Sequence, residues 1–110
     1  MSPEKRDDRL YGLLGKIRAV PGKRDELVAR LEDTSRNVPG KLVYLISLEK
    51  DDPDAFWITE VWRDKAAYEA VAGKEGREGR ASVQSLVLAL EHRVETIPLE
   101  SSIPYRGNGR

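Results

Sequence analysis

No cysteine occurs among the 110 residues, and histidine occurs once, at position 92. The first absence excludes a disulfide framework, a thiolate nucleophile and thiolate metal ligation; the second leaves metal binding without the imidazole cluster it commonly uses. Charge of one sign is missing too. The 19 Lys and Arg residues balance 19 Asp and Glu, so no global field gathers phosphate polymers or anionic lipid, and nucleic acid and membrane surfaces are not expected partners. No apolar run nears the ~20 residues of a membrane span. The charged N-terminus MSPEKRDDR has no apolar signal core behind it, which makes a cytoplasmic location the expectation. Nucleotide motifs are also absent: the GxxGxxG within 73–80 matches neither a dinucleotide fingerprint nor a phosphate-cradling loop.

What remains is a chain with 39% apolar and 35% charged residues, long enough for one domain with a thin core. A partner subunit is expected to complete the burial. Residues 10–20 are rich in apolar side chains and end at Pro21-Gly22, which predicts a first strand. Residues 23–36 follow as a helix, with Asp25 and Glu26 in its first turn and Leu27, Val28 and Leu31 on one face. Pro39-Gly40 stops it. In 42–48, Leu42, Tyr44, Ile46 and Leu48 alternate with Val43, Leu45 and Ser47, giving a second strand nearly apolar on both faces. The turn DDPD at 51–54 leads into a third strand over 56–62. Asp64 is a suitable N-cap for a short helix to Val71. The glycines of GKEGREGR, 73–80, predict a loop or frayed turn. Val83, Leu86, Val87 and Leu90 carry helical spacing, and 94–99 reads as a last strand.

The expected architecture is therefore α+β, a ferredoxin-like βαββαβ order over 10–99 with an antiparallel four-stranded sheet. Helices would cover one sheet face and a second copy the other. The ends, 1–9 and 100–110, read as poorly ordered, or the tail carrying Ile103, Pro104 and Tyr105 crosses to a partner subunit.

With these elements placed, the stretch from Tyr11 to Trp62 resembles the antibiotic biosynthesis monooxygenase family. The likeness rests on the first strand, the PGKRDEL start of the helix, the PG-containing second turn, the DDPDAFW hairpin and the EVW strand end, in that order. It thins between Arg63 and Leu90 and returns in HRVETIPL near the end. The resemblance implies a homodimeric α+β barrel. For enzymatic members it implies oxidation of a small phenolic, quinol or anthrone-type aromatic by dioxygen, with no metal, flavin or haem. Ground-state dioxygen reacts sluggishly with closed-shell organics, so the substrate supplies the electron, most readily as a phenolate or enolate. The protein then needs a dry pocket, a proton acceptor and positioned donors. A non-catalytic barrel that holds an apolar small molecule is the competing reading, because a fold alone does not choose between them.

Trp62 and Tyr68 resemble the aromatic pair that lines the substrate cavity in some catalytic members; the bland alternative is that both rings fill core. Many relatives carry histidine where this chain has Tyr68, and an ordinary tyrosine titrates near pH ~10. Glu60, two residues before Trp62 on the same strand face, is a candidate proton acceptor or else half of an ion pair across the dimer. His92 belongs to the one residue type suited to general-base work near neutrality, although Glu91 and Arg93 beside it suggest solvent. Tyr44, Val71, Arg80 and Leu86 complete the candidates for substrate contact, with Arg77 and Arg80 either holding an anionic oxygen or forming a solvated face. One haem-degrading branch of the same architecture uses an Asn, Trp and His set. Here the first strand has no Asn, and the other two positions fall near Val71 and Ala81, so that chemistry is disfavoured.

Overall fold

The computed structural model describes residues 8–103; the expectations for 1–7 and 104–110 lie outside it. Two Pro-Gly pairs shape the first half of the chain. After strand β1 (Tyr11–Ala19) the Lys23 N–H donates to the Val20 carbonyl at 2.8 Å, across Pro21 and Gly22. Gly22 has φ +82°, the left-handed geometry that a turn of this type asks of its third residue. Helix α1 (Arg24–Thr34) starts there, and Asp25 and Glu26 meet its positive end. The second pair repeats the device, with Gly40 again at φ +82° and the Lys41 N–H donating to the Val38 carbonyl at 3.2 Å.

Strands β2 (Lys41–Leu48) and β3 (Ala55–Trp62) form the expected antiparallel hairpin. In its turn the Asp54 N–H donates to Asp52 Oδ1 at 3.1 Å, which closes a local loop. The Asp64 carboxylate caps helix α2 (Lys65–Ala72), accepting from the Ala67 N–H at 2.8 Å. Helix α3 (Lys74–Val83), a 3-10 turn (Gln84–Leu86) and strand β4 (Val87–Thr96) complete the fold. The sheet order is β2-β3-β1-β4, antiparallel throughout, and this is the ferredoxin-like arrangement.

Two local expectations are overturned. The glycine run 73–80 is helix, not loop. Its glycines recur every third residue and so share one side of α3, while strong helix formers fill the positions between them. Packing against α1 and α2 supplies what propensity lacks, and the Arg30 guanidinium donates to the Ser82 carbonyl at 3.3 Å, satisfying part of the last turn. The second correction concerns 83–90. Val83 ends α3 and Leu86 sits in the 3-10 turn, whereas Val87 and Leu90 belong to β4. A short apolar set fits either period. Here the second edge of β1 needs hydrogen-bond partners, and β4 provides them along Gly12–Ala19.

The side chains of Tyr11, Leu13 and Ile17 on β1, and of Phe56, Ile58, Glu60 and Trp62 on β3, share the helix-covered face. At one end Leu27, Phe56, Ile58, Val83 and Leu86 form a closed core. At the other, Tyr11, Leu13, Trp62 and Ala67 form a second cluster with Tyr68 and Val71 against it. The opposite face carries Leu14, Val43, Leu45, Trp57, Val61 and Val94 with no helix above them; Leu45 is 53% and Val94 51% exposed.

Candidate functional site

Between the second cluster and the helices lies a cavity of about 540 Å³. Its floor is the helix-covered side of β1, β2 and β3, and α2, α3 and the 34–39 segment form its walls. Gly76 and Gly79 of α3 face it, so the glycine side of that helix is where the wall stands back. A Cβ at position 79 would meet nothing within 4 Å.

Glu60 lies at the centre of β3, opposite Leu13 on one side and Tyr44 on the other. The Trp62 indole N–H donates to Glu60 Oε1 at 2.8 Å, a bond within one strand face that fixes both carboxylate and ring. Trp62 is 3% exposed. Its ring meets Tyr68 edge-on, with centroids 5.6 Å apart at 77°. Tyr68 in turn lies 5.1 Å from Tyr11 and its hydroxyl accepts from the Arg93 guanidinium at 3.1 Å. Tyr11 donates to Glu95 in a short hydrogen bond. Burial, with that bond next, pushes the Tyr11 hydroxyl up to about 12. Burial also raises Tyr44, and the nearby Glu60 and Glu32 charges add to it.

Lys41 is the cation at the heart of this group. Its ammonium sits 4.4 Å from the Tyr44 ring centroid and 5.3 Å from that of Trp62. Burial pulls it below the usual lysine value, and the Glu60 charge partly restores it. No carboxylate among the described residues comes within ion-pair distance of it.

The cavity thus gathers Glu60, Trp62, Tyr68, Tyr44, Val71 and Arg80 from the sequence candidates. Two others stand elsewhere. Leu86 is buried in the closed core. His92 opens on the helix-free side of the sheet, stacked on Trp57 with centroids 5.9 Å apart. Two irregularities that alternation could not reveal decide this division. A bulge between Lys41 and Val43 places Lys41, rather than Leu42, opposite Trp62. Another bulge, where β4 passes Lys16 and Ile17, pairs His92 with Lys16 and turns Arg93 and Glu95 toward the helices. Lys41 and Arg93 are therefore the charged cavity residues that sequence reasoning missed; the only signal for the first was a lysine beside the Pro-Gly turn.

Among the described residues no group of three His, Cys, Asp or Glu side chains is placed to hold a metal ion. No helix there is long and apolar enough to cross a membrane. The fold has counterparts in solved structures. A protein from Chloroflexus aurantiacus J-10-fl, provisionally described as an antibiotic biosynthesis monooxygenase, is 40% identical over 82% of this chain and 93% of its own, with a TM-score of 0.75. A similarly described protein from Bacteroides thetaiotaomicron VPI-5482 is 26% identical over 83% and 90%, with a TM-score of 0.69. One from Caulobacter crescentus CB15, at 17% identity over 88% and 96% and a TM-score of 0.72, shares the fold. No curated protein matches the chain. The antibiotic biosynthesis monooxygenase family model covers residues 10–76, and with the identity to the Chloroflexus protein it shows that this chain belongs to that family.

Proposed function

We propose that the protein is a monooxygenase that oxidises a small phenolic, quinol or anthrone-type aromatic with dioxygen, without metal or organic cofactor, inside the cavity above β3. The observation that carries this reading is the Glu60 carboxylate held by the Trp62 indole within an aromatic-walled space, with the Lys41 ammonium beside it. Glu60 takes a proton from the substrate and leaves a phenolate or enolate. The electron-rich ring passes an electron to dioxygen, and the two radicals join as a carbon-bound peroxide. For an anthrone, loss of water then converts the CH2 carbon to a carbonyl; one oxygen atom stays in the product and the other leaves in water with both substrate hydrogens. Trp62, Tyr68 and Tyr44 hold the ring plane, and Val71 bounds it.

The same reading makes the helix-free face the contact between two copies. Leu45 and Val94 stand exposed there beside Leu14, Val43 and Val61, an apolar surface large for a lone domain. Sedimentation is expected to give twice the 12.4 kDa chain mass, and Leu45→Glu to shift it toward the monomer. A monomer at every concentration would refute the pairing.

Oxygen uptake with a panel of hydroquinones and anthrones, in the presence of a chelator, tests the chemistry. Uptake is expected, and Trp62→Ala should abolish most of it. No uptake with any compound, while tight binding persists, would leave a small-molecule-binding module.

A further inference from the structure

The proposed reaction uses one carboxylate of the cavity and none of its cations, yet the lining carries more cations than acids. Lys41, Arg80 and Arg93 all border it, and Glu60 is the one acid among the described residues that does. Arg93 bonds the Tyr68 hydroxyl and has Glu95 close enough outside the cavity to feel its charge. Arg80 has no hydrogen-bond or ion-pair partner among the described residues, and Lys41 lies against ring faces with the Glu60 charge acting on it from beyond ion-pair distance. A neutral polycyclic substrate would cover the half-buried Lys41 and strip its water without replacing it, while the exposed Arg80 keeps its own. An ionised acid on the ligand removes that cost and gains a charge-assisted hydrogen bond.

We infer that the substrate is an aromatic acid, with Lys41 as the counter-ion of its carboxylate and Arg80 as a second cation bordering the same cavity. The inference rests on the functional reading above for the word substrate, and on the charge distribution alone for the ligand class. Glu60 stays available as proton acceptor because its hydrogen bond comes from Trp62 rather than from Lys41.

The test compares equilibrium binding of 2-naphthoate and neutral 2-naphthamide, two ligands of equal shape, followed by tryptophan fluorescence in the full chain. The naphthoate is expected to bind about tenfold more tightly. Lys41→Arg should keep that preference, Lys41→Met should erase it and Arg80→Met should reduce it, with thermal melting confirming that each variant is folded. Equal affinities in the unaltered chain would overturn the inference, as would a preference that survives both methionine variants. A chain that prefers naphthoate but consumes no oxygen breaks the monooxygenase reading alone. Oxygen uptake without any preference breaks this inference alone.

Discussion

Phe56 and Trp62 lie six residues apart on one face of β3, and the molecule changes character between them. Around Phe56 the packing is closed: Leu27, Ile58, Val83 and Leu86 surround it and neither Phe56 nor Leu27 has any exposed surface. Around Trp62 large rings meet edge-on, a carboxylate and an ammonium lie beside them, and α3 presents two glycines along with Arg80. A thin core can be built this way when its close-packed and its open, polar parts are kept at opposite ends of the same strands. Burial at the first end carries the stability that the second end, with its polar groups and empty volume, does not supply.

The division has measurable consequences. Phe56→Ala should cost about 3–5 kcal/mol in urea unfolding, because nothing nearby can collapse into the space. Glu60→Gln should do the converse: about a 100-fold loss of oxygen uptake, in the usual range for a removed general base, with the unfolding midpoint almost unmoved. A strong loss of stability in the second variant would mean that the two ends are not independent. A smaller effect separates them by pH. The Tyr11 hydroxyl titrates higher in the folded chain, at about 12, than a free tyrosine near ~10. Its protonated form is thus favoured by folding. The contribution is complete below pH ~10 and is lost as pH rises through about 12. Tyr11→Phe should flatten that alkaline limb of the stability profile, and an unchanged limb would assign it to other groups. The smallest expected change is a gain. Gly79→Ala adds a methyl group that meets no atom within 4 Å and should stabilise α3 by up to about 1 kcal/mol. Gly22→Ala, at φ +82°, should destabilise by a similar amount.

Much of the fold at both ends was readable from residue order. The two Pro-Gly turns, the Asp64 cap and the alternation of β3 each rest on local chemistry that leaves a mark in sequence, and Phe56, Leu27 and Ile58 follow from them. The open end was less legible, because long-range packing decides it. Glycines that discourage a helix locally are accepted in α3, where the cavity needs room. The spacing of Val83 to Leu90 suits a helix until the free edge of β1 claims half of it for β4. Glu60, Trp62 and Tyr68, named as candidates from the family resemblance and from Glu60's place two residues before Trp62, do line the cavity, whereas Arg93 and His92 exchange faces through an irregularity with no sequence marker.

The extra residue in β2 changes how relatives of this chain are to be compared. Stepping back in twos from Tyr44 arrives at Leu42, so matching strands by their apolar rhythm would credit the cavity with a leucine and mistake its ammonium for a surface charge. In this chain the number of residues between the Pro-Gly turn and Tyr44 decides whether a leucine or an ammonium stands opposite Trp62, a property of spacing that no single side chain displays.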